Sequence, residues 1–169
     1  MEELFYDGLG NSYVKPNGEK VGDRFATYAL VYVKDIKKYL FINPVPKLTN
    51  TFYKFVGGGI EDGEKTLEAL KREFVEEIGF PILDIYEQVD YIEYTVPFKM
   101  IKRNEYWYNH QSIYFFTVDN FKDTLYPNES KWISPLEELP VHLLSREEIL
   151  NNLENFHFTI KKAIKRFIV

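Results

Sequence analysis

There is no cysteine among the 169 residues, which excludes a disulfide framework, a thiolate zinc site and a cysteine nucleophile. That absence suits a reducing compartment. The N-terminus, MEELFYDGLGNSY, begins with acids and has no basic region followed by an apolar stretch, so it does not read as a secretory leader and a cytoplasmic protein is expected. No apolar run approaches the roughly 18 residues needed to span a bilayer, so no membrane partner is expected either. Basic residues are outnumbered, 21 against 26 acidic ones, for a net charge of −5. A protein that neutralises a run of phosphates carries the opposite balance, so polymeric nucleic acid is not expected as the main partner. Internal repeats, low-complexity tracts and linkers are also missing, and a single domain over residues 1–169 is the simplest organisation.

What is present argues for a packed core: 45% of the residues are hydrophobic and 17% aromatic, too rich for a disordered chain. Strands are expected at Phe25 to Val33 and Tyr39 to Ile42, joined as a hairpin by the charged turn Lys34, Asp35, Lys37 and Lys38. A short strand at Phe52 to Val56 leads into Gly57, Gly58 and Gly59, which alone read as a flexible turn. Further strands are expected at Ile82 to Val96, Gln111 to Val118 and Lys131 to Ser134, with late helices at Arg146 to Glu154 and Thr159 to Phe167. The order points to an α+β layered domain. The late basic cluster Lys161, Lys162, Lys165 and Arg166 reads as a solvated face that complements the negative end of a helix.

The chemistry is concentrated between Gly57 and Phe80. Leu67, Leu70, Phe74 and Ile78 recur at helical spacing, which predicts an amphipathic helix over Lys65 to Ile78, opened by the turn Asp62, Gly63, Glu64 and stopped by Gly79 and Pro81. On that helix Glu73, Glu76 and Glu77 fall within an arc of about 100°, beside Arg72. Like charges at i, i+3 and i+4 repel, by a few tenths of a kcal/mol per pair. A hard divalent cation reverses that penalty, because it prefers carboxylate oxygens and leaves room for water and phosphate. A charge run by itself is more often a solvated helix face.

The register of the whole segment is more specific. Gly58, Glu64, Arg72, Glu73, Phe74, Glu76, Glu77, Gly79 and Phe80 fill G-x5-E-x7-R-E-U-x-E-E-x-G-U, with U a bulky apolar residue, and the segment resembles the Nudix box. Phenylalanine at both U positions departs from the more usual aliphatic side chains and bears on packing. The resemblance implies a Nudix-like α/β/α sandwich with a mixed β-sheet and a hydrolase that cleaves a nucleoside diphosphate linked to another moiety, dependent on Mg²⁺ (or Mn²⁺). It implies that Glu76 and Glu77 are principal metal ligands, that Glu73 is a ligand or the base that activates water, and that the Gly57 carbonyl completes the coordination. It further implies that Arg72 orients the carboxylates, that Glu64 is a supporting acid, and that Glu129, ahead of the segment Trp132 to Leu139, assists the metal or the water, with Glu105 behind it. A homodimer is compatible with it.

Selectivity has to come from other segments. In Asn104 to Gln111, NEYWYNHQ, the rings of Tyr106, Trp107 and Tyr108 are candidates to stack on a base, worth ~1–3 kcal/mol per base in single-stranded complexes, and His110 is a candidate to act on substrate. The same residues also read as an aromatic hairpin packed on the domain, with His110 structural. His142 and His157 show no metal-ligand spacing. Pro97 lies just past the register of an ADP-ribose pyrophosphatase feature, and marks of the dinucleoside polyphosphate, coenzyme A and NADH subfamilies are not apparent. A nucleoside triphosphate, or an oxidised purine form of one, is the leading substrate class by default. An ADP-ribose or nucleotide-sugar pyrophosphatase is the alternative within the family, and a non-catalytic nucleotide sensor on the same fold is the alternative outside catalysis.

Overall fold

The computed structural model describes residues 2–79, 87–119 and 139–169. Among the described residues eight strands form one sheet: β1 (Leu4–Tyr6), β2 (Ser12–Val14), β3 (Val21–Val33), β4 (Lys38–Ile42), β5 (Val56–Gly59), β6 (Glu87–Met100), β7 (Glu105–Val118) and β8 (Val141–Ser145). The helices are α1 (Thr66–Ile78), α2 (Arg146–Asn151) and α3 (Lys161–Phe167). Strand order is β2-β1-β6-β7-β3-β4-β8, with β5 paired to β3 off that path. The β1–β6 and β3–β7 pairs are parallel and the others antiparallel, so the sheet is mixed as expected.

Side-chain alternation along β3 explains the layering. Ala29, Val31 and Val33 turn to one face and pack with Leu70, Phe74 and Ile78 of α1. Ala26, Tyr28 and Leu30 turn to the other, against Ile149 of α2 and Ala163 and Ile164 of α3. Each large apolar side chain fully buried this way contributes about 1.5–3 kcal/mol, and both faces of the central strands are covered. The result is the α/β/α sandwich. No helix among the described residues is long and apolar enough to cross a membrane.

Several expectations shift. The Gly57–Gly59 run is strand rather than turn: β5 lies antiparallel to β3, with Thr27 opposite Gly58 and Tyr28 opposite Gly57. The stretch before it makes only isolated bridges, Lys54 to Ile42 and Tyr53 to Phe156. Asn104 to Gln111 is mostly β7, which pairs with β3 over 13 residues. Helix α1 begins one residue late and leaves Leu67 43% exposed, off the buried stripe. It stops at Gly79 in the left-handed conformation, whose N–H donates to the Val75 carbonyl at 2.8 Å. The late helices are shorter, because 3-10 turns occupy Leu153–Asn155 and Phe158–Ile160. Strands β1, β2 and β8 had no expectation. The strand at Lys131 to Ser134, Phe80 and Glu129 lie outside the described residues.

Candidate active site

Helix α1 and strand β5 meet around one guanidinium. Arg72 Nε donates to Glu64 Oε2 at 2.7 Å and Nη2 to Glu64 Oε1 at 2.9 Å, a two-pronged pair. Nη1 reaches Glu73 Oε1 at 3.1 Å and Glu76 Oε1 at 3.2 Å, while Nη2 also donates to the Gly59 carbonyl at 3.1 Å. One arginine thus ties three carboxylates of the segment to the glycine strand. Its bonds hold the Glu64 carboxyl down at about 2, helped by the Glu61 N–H. Burial pushes the Glu73 carboxyl up; the Arg72 bond and the Lys54 charge oppose this without cancelling it, and Glu76 adds to the rise.

Glu77 is held separately. It is 4% exposed, and its Oε2 accepts the Gly57 N–H at 2.9 Å. Gly57 has φ 145°, and a Cβ there would stand 2.1 Å from the Thr27 carbonyl oxygen, so only glycine fits. A Cβ on Gly58 would lie 2.6 Å from the Glu73 carboxyl carbon; the glycine leaves a cradle that this carboxylate fills.

No three acids or histidines among the described residues are gathered closely enough to hold a metal ion as they stand. Arg72 sits between Glu73 and Glu76, and Glu77 is engaged by the strand amide. In kind, however, the donors suit a hard divalent cation: carboxylate oxygens on adjacent helical turns, against a strand without side chains.

The opposite side of β5 faces a cavity of about 160 Å³, lined among others by Arg24, Lys54, Trp107, Asn109 and His157. A Cβ on Gly59 would stand 3.5 Å from Arg24, so the strand separates acids from cavity by one backbone thickness. Arg24 carries its guanidinium 5.9 Å from the Trp107 ring centre and donates to Asn109 Oδ1 at 3.2 Å. Asn109 Nδ2 donates to Gln111 Oε1 at 3.2 Å, and Gln111 Nε2 to the Thr159 carbonyl at 2.8 Å, which fixes both amides. Lys54 places its ammonium 5.4 Å from the Tyr28 ring centre. Burial, then the charges of Lys54 and Arg24, push His157 down to about 3 against the pull of Asp7. Its Nδ1 accepts the Thr159 N–H at 3.3 Å, so the neutral ring carries its proton on Nε2.

Of the aromatic candidates, only Trp107 lines this cavity. Tyr106 is 7% exposed, edge-on to Phe5 at 5.2 Å with Lys99 3.9 Å over its ring, a packing role in place of a free stacking platform. His110 points to the other sheet face, into a cavity of about 440 Å³ with Phe25 and Thr66. There Nε2 lies 2.8 Å from Asp23 Oδ1, Nδ1 lies 2.9 Å from Thr95 Oγ1, and the ring stacks on Phe25 at 4.7 Å. Glu105 accepts from Trp107 Nε1 at 2.9 Å, remote from the Arg72 cluster in its bonding. The sequence singles out none of Arg24, Lys54 and Asn109, and marks His157 only as lacking metal-ligand spacing. The alternation Trp107, Asn109, Gln111 carried a strand signal for one of them; Arg24 is brought in by the β3–β7 register, which no local pattern encodes.

A family model described as NUDIX domain matches residues 24–167. The 8-oxo-dGTP diphosphatase of Buchnera aphidicola subsp. Acyrthosiphon pisum (strain APS) is 31% identical over 120 residues, 68% of this chain and 87% of that one. The structure of the E. coli dihydroneopterin triphosphate pyrophosphohydrolase aligns with TM-score 0.59 at 18% identity, covering 88% of this chain and 98% of that one. A bifunctional NMN adenylyltransferase/ADP ribose pyrophosphatase from Francisella tularensis, complexed with AMP and Mn ion, aligns with TM-score 0.58 at 17% identity, over 89% of this chain and 43% of that one. At these identities the two structures speak to the fold.

Proposed function

The chain belongs to the Nudix family, and on that premise we infer that it is a nucleotide pyrophosphohydrolase working through the acids gathered by Arg72. The observation that carries this reading is the single guanidinium bonded to Glu64, Glu73 and Glu76 against a strand of glycines. Glu73, Glu76 and Glu77 are the residues that would hold Mg²⁺ or Mn²⁺, with the Gly57 carbonyl beside them. When bound, such an ion polarises a phosphoryl oxygen and lowers the pKa of a coordinated water. Arg72 and Glu64 orient the carboxylates, and Glu73 or Glu76 takes the proton of the attacking water. The water oxygen bonds to phosphorus, the bridging P–O bond breaks, and the diphosphate leaves with the electron pair.

A nucleoside triphosphate, in an oxidised purine form, is the proposed substrate. The similarity to a relative named 8-oxo-dGTP diphosphatase supports it. So does the cavity, where Trp107 offers a ring face and Arg24 and Lys54 offer positive charge. At about 160 Å³ it takes one ring system, well below the roughly 300–1,000 Å³ that enclose a drug-sized ligand.

The test is mass-spectrometric product analysis after incubating wild type and Glu76→Gln with Mg²⁺ and a pool of ordinary and oxidised nucleoside triphosphates, ADP-ribose, sugar nucleotides and dinucleoside polyphosphates. Loss of an oxidised purine triphosphate with release of pyrophosphate, in wild type alone, is the expected result. Loss of ADP-ribose or a sugar nucleotide instead reassigns the substrate, and saturable binding without turnover makes the protein a sensor.

A further inference from the structure

Thr27 stands in the middle of β3 with no exposed surface, and its hydroxyl has no hydrogen-bond partner among the described residues. A buried hydroxyl left unsatisfied is costly, and valine would fill the same space without that cost. The position opposite Thr27 in the antiparallel β3–β5 pair is Gly58. Opposed residues in such a pair send their side chains to the same face, with Cβ atoms about 4.5–5.5 Å apart. On Gly58 the Cβ direction leads straight to Glu73: the carboxyl carbon lies 2.6 Å, Oε1 2.7 Å and Oε2 2.8 Å from where that Cβ would be. Thr27 therefore projects to the sheet face that the Glu73 carboxylate covers. Its neighbour on the other side, Ser112, is occupied by the Tyr91 hydroxyl at 3.3 Å.

We propose that Thr27 is a positioning residue for Glu73, its hydroxyl donating to the carboxylate once that group turns from Arg72 toward a divalent cation; this rests on the metal reading given above. In the present arrangement Arg72 holds Glu73 Oε1 at 3.1 Å. Turning to a cation loosens that bond, and a carboxylate acting as a ligand needs a partner on its other oxygen to keep its direction. A hydroxyl already waiting on the same face supplies one without moving the backbone. Thr27 itself touches neither ion nor substrate.

The experiment is Mn²⁺ titration of the full chain, followed by electron paramagnetic resonance, on wild type, Thr27→Val and Thr27→Ser, with Tm measured in chelator. Thr27→Val is expected to bind Mn²⁺ about 10-fold or more weakly, the usual scale for loss of a ligand's hydrogen-bond partner. Its metal-free Tm should stay level or rise, and Thr27→Ser should restore the affinity. Mn²⁺ binding by Thr27→Val within about twofold of wild type, well under that scale, overturns the proposal and leaves the metal reading intact. A wild type that binds no Mn²⁺ overturns both.

Discussion

Arg72 and Glu64 meet in a two-pronged ion pair, at 2.7 and 2.9 Å, across eight residues and the turn that opens α1. The fork fixes the plane of the guanidinium, and that plane lets its remaining N–H groups reach Glu73, Glu76 and the Gly59 carbonyl together. Lysine has the charge without the fork. Arg72→Lys is expected to lower kcat by about 10- to 100-fold, the scale seen when groups that orient a metal's ligands are changed. Steady-state kinetics on the substrate found by product analysis checks it, and an unchanged kcat removes Arg72 from the machinery.

Gly58→Ala places a methyl group 2.6 Å from the Glu73 carboxyl carbon. The carboxylate has to move by about an ångström, and a displacement of that size costs on the order of 100-fold in rate. The sheet has no reason to fail, so the far-ultraviolet circular dichroism spectrum should match wild type while kcat falls.

Two substitutions separate the structural from the chemical role of Glu77. Glutamine keeps an oxygen to accept the Gly57 N–H, whereas alanine leaves that buried donor unsatisfied. Glu77→Gln should hold Tm near wild type and lose Mn²⁺ affinity. Glu77→Ala should lose both, with about 1–3 kcal/mol of stability gone by urea denaturation. Wild-type Mn²⁺ binding in Glu77→Gln excludes the residue as a ligand.

Lys54 approaches both compartments: its charge acts on Glu73 and on His157 while its side chain lines the cavity. Lys54→Met keeps the stem and removes the charge. KM for the nucleotide should rise with kcat little altered, the pattern of lost uniform binding. A fall in kcat with constant KM would place Lys54 in the chemical step instead.

His157 is neutral in the fold, pushed down to about 3, whereas the unfolded chain titrates it near 6.5. Between those values the unfolded state binds the extra proton, so this group's contribution is fully present above about 6.5 and is lost as pH falls toward 3. Urea midpoints measured from pH 7 down to pH 5 should drop in wild type and drop less in His157→Gln. Parallel curves for the two proteins would show that His157 is not the group responsible.

The site divides into a part that sequence displays and a part that it does not. Arg72, Glu73, Glu76 and Glu77 lie on one helix with Glu64 in the turn just ahead of it, all within 14 residues, so fixed spacing and a 3.6-residue period bring them together before any tertiary contact is known. The cavity is built the other way. Arg24 reaches Asn109 across 85 residues, and His157 arrives just ahead of a 3-10 turn in the last residues described. Gly57 to Gly59 misled because glycine weakens strands in general; here absent side chains are what lets β5 take the β3 ladder while Glu73 and Glu77 press on it. The NEYWYNHQ stretch left two readings open because eight polar and aromatic residues look alike until strand alternation sends Trp107 to one face and His110 to the other.

Strand β5 has the acids on one side and the cavity on the other, with only backbone between them. Two workshops therefore share a wall that has no furniture to rearrange. On the proposed function, Arg24 on β3 and Trp107 on β7, which would meet the ring of a substrate, can be exchanged for others without touching the acids that would meet its phosphates, whereas Lys54 acts on both sides. A change of diet in this protein would then be written in Arg24 and Trp107, and the cutting edge would stay as it is.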